Sequence, residues 1–232
     1  MALKDDLEKR VKEIFKEQWT KRDGTVVPSD DSIKLNNDAV EIAGTILYAD
    51  LADSTKLVDG YQPAFAAEIY KTFLHCAARI ISSEGGTITA YDGDRVMAVF
   101  IGDYKNTIAV RAALKINWAA KQLIQPALKA QYPKSTFTLK HVCGVDTSKL
   151  FVAKTGIRGA NDLVWVGRAA NYAAKLAALD ESYPTWITKD VYDKMAESSK
   201  LGGVNKTNMW TKRTWTAMGN KEIYSSTWSW SF

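Results

Sequence analysis

The stretch Ile46–Thr55, which reads ILYADLADST, decides the fold together with Tyr91–Phe100, which reads YDGDRVMAVF. Each stretch carries an aspartate beside or within an apolar run that otherwise reads as a buried strand. Asp50 interrupts the first run. Asp94 precedes the second, just after Asp92-Gly93, a pair typical of a two-residue hairpin turn. The pattern therefore predicts two strands that each carry an acidic residue.

The two aspartates point to a metal site. A carboxylate at the end of a buried strand is costly unless it is paired or binds a cation. If their strands are neighbours, Asp50 and Asp94 form an oxygen site suited to Mg²⁺ or Mn²⁺. The residues alone leave an alternative open, in which Asp94 is a turn residue and Asp50 caps a helix.

The composition indicates one domain with appendages. The chain has 232 residues, 46% of them apolar, which supports a sizeable core and excludes disorder. A net charge of +5 with both signs well mixed fits an enzyme that handles an anionic nucleotide, but it is too small to indicate nucleic-acid binding. The two cysteines are expected to be reduced thiols of a cytoplasmic protein. We expect no membrane association, because no apolar run approaches the roughly 20 residues that span a bilayer.

The order of elements predicts an α/β fold of the split, ferredoxin-like kind. Residues 1–37 are expected to form an amphipathic helix and a linker, and residues 38–232 the main domain, which the resemblance described below makes the catalytic domain. The helix is expected to pack on that domain, with a partner-binding or dimer helix as the alternative. Pro126 predicts the end of a helix that starts near Asn106. A strand is predicted over 137–145, and a separate strand pair over 151–166 with its turn around Gly156–Gly159.

Three motifs resemble those of the class III nucleotide cyclases. They read YADL followed by Ser54-Thr55, GD followed by MAVF, and VWVGRAAN ending at Asn171. They occur in the family's order and spacing, within a resemblance that covers residues 40–226. It implies a central mixed sheet with helices packed on it, and two divalent ions, Mn²⁺ or Mg²⁺. Asp50 and Asp94 would bridge both ions.

The resemblance also assigns the other catalytic positions. The Leu51 carbonyl would complete one coordination sphere, and Ser54 and Thr55 would meet phosphate. Asn171 would orient the ribose. Lys175 stands where the family has an arginine that stabilises the transition-state phosphate, with Arg168 as an alternative cation. Lys221 is the nearest match to a lysine that acts on the triphosphate.

The positions that read the base depart from the purine cyclases. Ala90 and Val164 stand where relatives carry side chains that hydrogen-bond a purine, and neither can do so. The candidates to read a smaller base are Tyr48, Arg158, Asn161 and Asp162. This pattern resembles the pyrimidine cyclases of the bacterial Pycsar antiphage defence systems. Those cyclases make cyclic UMP or cyclic CMP for a co-encoded effector.

The resemblance implies a homodimer with shared active sites, because in the family one protomer gives the aspartates and the other gives the base-reading and asparagine segment. The leading interpretation is a pyrimidine nucleotide cyclase that prefers UTP over CTP. The alternatives are an adenylate cyclase with an atypical base pocket and a catalytically degenerate nucleotide-binding signalling domain.

Overall fold

The computed structural model describes residues 2–232 and contains both helices and strands. The helices are α1 (Leu3–Lys16), α2 (Ser54–Gly60), α3 (Pro63–Ser83), α4 (Lys105–Ala119), α5 (Gln125–Gln131), α6 (Arg168–Ala177) and α7 (Lys189–Lys194). The strands are β1 (Thr20–Asp23), β2 (Asp38–Leu51), β3 (Thr87–Asp92), β4 (Arg95–Phe100), β5 (His141–Ile157), β6 (Ala160–Val166), β7 (Thr185–Thr188), β8 (Leu201–Gly202), β9 (Thr207–Asn208), β10 (Thr211–Trp215) and β11 (Lys221–Ser226). In the described part of the chain, no helix combines the length and apolar character needed to cross a bilayer.

The first compact unit comprises Met1–Ala43 and Lys149–Gly167. It contains α1 and β1, which pairs in parallel with the start of β2 from Thr20–Asp38 to Asp23–Glu41. It also contains a β-arm, in which the second half of β5 pairs antiparallel with β6. Gly156 and Gly159 adopt positive φ angles at the tip, where other residues would be strained.

The second unit comprises Gly44–Ser148 and Arg168–Phe232. Its strand order is β10-β11-β7-β5-β2-β4-β3, in which β5 and β7 run parallel and the pairs β2–β4, β3–β4, β7–β11 and β10–β11 are antiparallel. Helices α3 and α4 bury Phe73 and Leu114 in a core shared with Leu47 of β2. This mixed sheet with packed helices confirms the predicted fold class.

The two faces of this sheet have different roles. Alternate residues of β2, such as Leu47 and Ala49, face the core of α3 and α4, so Tyr48 and Asp50 face the opposite side. On β5, Gly144 faces that side too, where a Cβ would lie 2.2 Å from the Ala173 carbonyl oxygen of α6. The absence of a side chain at Gly144 therefore lets α6 approach the sheet closely.

Several local predictions need correction. The hairpin loop consists of Gly93 and Asp94, because Asp92 pairs with Arg95, so the turn lies one residue later than predicted. Pro126 does not end its helix. A π-helical turn at Ala120–Ile124 precedes α5, and Pro126 lies in the first turn of α5, where its missing N–H costs least.

The remaining differences concern strands and α1. β5 is one strand of 17 residues, where the sequence predicted two separate strands. β1 lies within the predicted helix and linker region. The apolar side of α1 was expected to pack on the catalytic domain, but no residue of Leu3–Lys16 is buried. The terminal hairpin β10–β11 forms one edge of the sheet.

Candidate active site

Asp50 and Asp94 lie close enough to interact. Asp50 is near the end of β2, and Asp94 is in the loop between β3 and β4, the strand that pairs with β2. Partial burial, reinforced by the negative charge of Asp94, raises the pKa of Asp50 from 3.8 to about 6. The backbone N–H of Leu51 opposes this shift by hydrogen bonding to the Asp50 carboxylate. The site therefore carries negative charge that the surrounding protein does not fully offset.

This donor set fits a divalent cation. Arg95 lies opposite Asp50 in the β2–β4 register, but its Nε donates to Asp92 Oδ2 at 3.2 Å. Among residues 2–232, no three His, Cys, Asp or Glu side chains converge as in a closed metal site. Two carboxylates and a backbone carbonyl instead suit Mg²⁺ or Mn²⁺, which commonly complete their coordination with water and substrate phosphates.

Tyr48 and Ala90 lie in one row across three strands. Met97 of β4 pairs with Tyr48 of β2 on one side and with Ala90 of β3 on the other. Directly opposed residues share a face of the sheet, so this row lies two residues from the row that contains Asp50. Tyr48 is half-buried, and burial raises the pKa of its phenol, which therefore stays a hydrogen-bond donor at neutral pH.

The start of α2 follows Asp50 directly. Ser54 is half-buried and Thr55 is exposed in its first turn. Asp53 has a left-handed backbone with a φ of 59°, a region that glycine enters most readily. Its carboxylate does not cap α2 but accepts a hydrogen bond of 2.7 Å from Lys56, which lowers the pKa of Asp53. The negative charge of Asp53 is therefore partly offset by Lys56.

Asn171 and Lys175 are both exposed on the same side of α6. The Lys175 Nζ lies 3.7 Å from Met218 Sδ, in the turn between β10 and β11. In the described residues, Lys175 has no carboxylate within ion-pair distance and Asn171 has no side-chain hydrogen bond. Both polar groups are therefore available to a ligand.

Arg168 is held by the protein itself. Its Nε donates to Asp146 Oδ2 at 3.0 Å, and its Nη2 donates to Asp146 Oδ1 at 3.1 Å and to the Thr147 carbonyl at 2.8 Å. Asp190 accepts a further short hydrogen bond from the same nitrogen. This guanidinium fixes the first turn of α6 against β5, unlike the ammonium of Lys175, which contacts only the sulfur of Met218 among the described polar partners.

Lys221 lies at the start of β11, across the hairpin from Trp215. Trp215 packs edge-on against Tyr172 of α6, with ring centroids 5.5 Å apart. Lys221, Tyr172 and Arg168 all line one cavity of about 210 Å³. The structure thus brings Lys221 to the side of α6, although Asp50 and Asp94 do not line this cavity.

The other candidates to read a base are in the β-arm. Asp162 pairs with Thr155 and Val164 with Ala153, so Asp162 and Val164 share one face of the arm. Asn161 faces the other side, and its Nδ2 donates to the Ile157 carbonyl at 3.1 Å. Arg158 is exposed in the tip. These side chains therefore do not converge on one point of the arm.

Two residues near the site were missed in the sequence. Asp146 is fully buried on β5, where burial outweighs its hydrogen bonds and raises the pKa of its carboxyl. The same signal that identified Asp50, an aspartate within an apolar strand, marks Asp146 in HVCGVDT. Arg95 directly follows Asp94, and its guanidinium lies 5.8 Å from the centre of the Tyr48 ring.

Comparison with known proteins identifies the family. No family profile matches the chain. It is 56% identical over 231 residues to the uridylate cyclase of Xanthomonas perforans, covering 99% of each chain, and 53% identical to that of Burkholderia cepacia, covering all of both. The solved adenylyl cyclase CyaB from P. aeruginosa is 20% identical and superimposes with a TM-score of 0.68 over 81% of this chain and 95% of that one. The chain therefore belongs to the uridylate cyclase family and has the fold of the class III nucleotide cyclases.

Proposed function

We propose that this protein is a pyrimidine nucleotide cyclase that converts UTP, in preference to CTP, into the 3′,5′-cyclic monophosphate and pyrophosphate. The observation that carries this proposal is the 56% identity to a uridylate cyclase over nearly the whole of both chains. The exposed, unpaired Asn171 and Lys175 and the closely spaced Asp50 and Asp94 support it, because they provide the polar groups that the reaction needs.

In this reaction the ribose 3′-oxygen attacks the α-phosphorus and the bond to the pyrophosphate oxygen breaks. The 3′-hydroxyl loses its proton, and pyrophosphate leaves with the bonding electrons. Two anionic groups must approach each other, so the site has to supply positive charge and orientation. We assign the orientation of the ribose to Asn171 and the stabilisation of the α-phosphate to Lys175.

Asp50 and Asp94, with the Leu51 carbonyl, would hold two divalent ions, Mn²⁺ or Mg²⁺. When bound, these ions lower the pKa of the 3′-hydroxyl and neutralise the phosphates. The surroundings of Asp50 support this assignment, since partial burial and the neighbouring charge of Asp94 raise its pKa to about 6, and a bound cation would stabilise the ionised form. Ser54 and Thr55 are proposed to contact phosphate through hydroxyl and amide groups, and Lys221 to contact the triphosphate.

We propose that the pocket selects the base by its size and by hydrogen bonds to a small number of polar side chains. Ala90 and Val164 have no side-chain donor or acceptor, whereas Tyr48 places a phenol two residues from Asp50. The phenol can donate a hydrogen bond to a pyrimidine carbonyl and reduces the space for a purine. Arg158, Asn161 and Asp162 of the β-arm are further candidates.

We propose that two copies form a homodimer in which one protomer supplies Asp50 and Asp94, and the other supplies Asn171, Lys175 and the β-arm. The open face of α6 supports this arrangement. The product is proposed to act in the cytoplasm as a second messenger for a separate effector in antiphage defence. The resemblance of the base-reading positions, together with the segment WVGRAANYAAKL, to the Pycsar cyclases supports that role.

The proposal is tested by incubating the purified protein with each of the four ribonucleoside triphosphates and Mn²⁺, and identifying products by mass. We expect cyclic UMP above all, then cyclic CMP. The Asp94→Asn protein serves as the control for contaminating activity. A product formed mainly from ATP would replace this proposal with an adenylate cyclase, and the absence of any product with a folded protein would indicate a nucleotide-binding domain without turnover.

A further inference from the structure

Helix α1 carries a row of exposed apolar side chains. Leu3, Leu7, Val11 and Phe15 follow one another at steps of four residues, so they form one inclined ridge along the helix. Their exposed fractions are 73%, 55%, 51% and 87%. A continuous apolar ridge of this kind is rarely left in water unless it forms an interface.

The helix is anchored in its unit by groups outside this ridge. The Asn37 Nδ2 donates to the carbonyls of Ile14 and Glu17, at 2.8 and 2.7 Å, and so satisfies the carboxyl end of the helix. The Arg10 Nη2 donates to the Leu35 carbonyl at 3.3 Å. The position of α1 is therefore fixed by polar contacts while the ridge stays open.

The charges of α1 are divided along its length. The part before Lys9 contains three acidic residues and one basic residue: Lys4, Asp5, Asp6 and Glu8. The part after Lys9 contains three basic residues and one acidic residue: Arg10, Lys12, Glu13 and Lys16. Ion pairs within the helix, such as Lys4–Glu8 at 3.6 Å, are exposed and weak. An antiparallel partner with the same sequence would place each acidic half beside a basic half, whereas a parallel partner would place like charges together.

The apolar ridge has the same symmetry as the charges. Its four positions are centred on residue 9, so a two-fold axis at that point places Leu3 opposite the partner's Phe15 and Leu7 opposite the partner's Val11. Packing of such i, i+4 ridges is the commonest arrangement of two helices in globular proteins. A contact between identical surfaces about a two-fold axis is also the commonest form of homodimer interface.

We infer that α1 is an interface between copies of this chain, in which the helix pairs antiparallel with α1 of a second copy. The ridge provides the apolar contact, and the divided charge sets the direction. A membrane surface is less suitable, because helices that lie on anionic membranes are rich in Lys and Arg on their polar face, whereas this one mixes both signs. This interface is separate from the shared active site proposed above, and its test does not involve turnover.

The direction of pairing is tested by cross-linking the full chain. In a Cys76→Ser background, where the remaining Cys143 is buried, we compare Leu3→Cys, Phe15→Cys and the double variant. Antiparallel pairing brings position 3 to the partner's position 15 but separates identical positions by about 18 Å, at 1.5 Å per residue. With a short bifunctional maleimide, we therefore expect covalent dimer from the double variant and none from either single variant. Efficient cross-linking of a single variant would overturn the antiparallel arrangement.

The strength of the contact is tested by substitutions in the ridge itself. Leu7→Glu/Val11→Glu should lower the cross-linking yield in the double-cysteine protein and weaken association through α1 by about tenfold or more, because two apolar side chains in the interface are replaced by carboxylates. Val204→Glu is the matched control, since Val204 is fully exposed elsewhere. If both proteins cross-link equally, or if α1 binds vesicles of phosphatidylserine and phosphatidylcholine and forms no covalent dimer, the inference is wrong.

Discussion

Arg168 and Asp146 form a two-point ion pair, with Nε–Oδ2 and Nη2–Oδ1 distances of 3.0 and 3.1 Å, between the first turn of α6 and a fully buried position of β5. A guanidinium that is committed to a buried carboxylate is not free to follow a phosphate during a reaction. Lys175, two turns further along α6, has no such commitment. The two cations that the sequence offered for one role are thus distinguished by their surroundings.

This distinction predicts opposite effects for two matched variants. Lys175→Met should lower kcat for UTP by about 10²–10³, because it removes the charge proposed to stabilise the transition state, and should leave stability nearly unchanged. Arg168→Met should instead lower the free energy of unfolding by about 3–5 kcal/mol, because it leaves the buried charge of Asp146 unpaired. Urea unfolding and steady-state kinetics on both proteins measure the two effects.

The conservative variants provide controls. Lys175→Arg introduces the arginine that the class III resemblance places at this position, and a guanidinium can bind phosphate through two nitrogens, so its kcat should equal or exceed that of the unsubstituted chain. Normal stability of Arg168→Met together with a large loss of kcat would transfer the phosphate role from Lys175 to Arg168.

The carboxylate pair predicts a metal-dependent change of stability with pH. The pKa of Asp50 is about 6 in the folded, metal-free protein and near 3.8 in the unfolded chain. The folded state therefore binds the proton more tightly, and the metal-free protein should lose stability as the pH rises through this range. Asp50→Asn removes this loss, so above pH 7 the metal-free variant should be more stable by about 1–2 kcal/mol, after allowance for partial exposure.

Thermal unfolding with and without Mn²⁺ measures this effect independently of activity. The unsubstituted protein should gain stability from Mn²⁺, whereas Asp50→Asn and Asp94→Asn should gain little and should also lose turnover by at least about 10²–10³. Lys56→Gln, which alters a charge nearby but outside the carboxylate pair, should respond to Mn²⁺ normally. An equal Mn²⁺ response in all of these proteins would exclude Asp50 and Asp94 as the metal ligands.

The sequence predicted the carboxylate pair because both parts of its signal are local. An aspartate within an apolar run is visible in one strand, and the Asp92-Gly93-Asp94 segment marks the hairpin that brings the second strand alongside. The placement of the turn was one residue off, since the same residues permit either register and the packing of the whole strand decides between them.

Other features depend on contacts between distant residues. The length of β5 is set by its partners on both sides, not by its own interrupted pattern of apolar residues. Pro126 ends a helix in isolation, but here a π-helical turn precedes it and accommodates its missing N–H. The ion pairs of Arg168 could not be predicted from its own segment, because its partners Asp146 and Asp190 lie 22 residues away on either side.

The proposed homodimer predicts complementation between inactive variants. Asp50→Asn lacks a proposed metal ligand, and Asn171→Ala lacks the group proposed to orient the ribose. In a mixed dimer, one of the two shared sites contains both intact halves. We therefore expect the mixture to recover activity, approaching a quarter of that of the unsubstituted protein when subunits pair at random.

The control for complementation is a mixture of two variants that are both defective in the aspartate half of the shared site. Asp50→Asn mixed with Asp94→Asn should stay inactive at every ratio. Subunit exchange is checked by recovering a tagged variant together with its untagged partner. Active mixtures of the two aspartate variants, or inactive mixtures of Asp50→Asn and Asn171→Ala despite exchange, would contradict a site shared in this way.

The last prediction concerns the base. Because Ala90 and Val164 offer no side-chain hydrogen bond to a purine, kcat/KM for UTP should exceed that for ATP and GTP. A site that hydrogen-bonds a polar edge rejects an analogue without the matching groups by about 10⁴, whereas an apolar pocket distinguishes shapes by roughly 10–200-fold. The measured ratio therefore indicates whether a polar side chain reads the base or the pocket merely limits its size.

Tyr48 is the first residue to substitute, because it shares a row of the sheet with Ala90 and lies two residues from Asp50. If its hydroxyl reads the base, Tyr48→Phe should reduce the preference for UTP over ATP toward the range set by shape alone. If its ring limits size, Tyr48→Phe should behave normally and Tyr48→Ala should admit ATP. Asn161→Ala is the comparison variant in the β-arm. Because its side-chain amide already donates to the Ile157 carbonyl, we expect a smaller change in the preference for UTP over ATP. Equal kcat/KM for ATP and UTP in the unsubstituted protein would refute pyrimidine selectivity altogether.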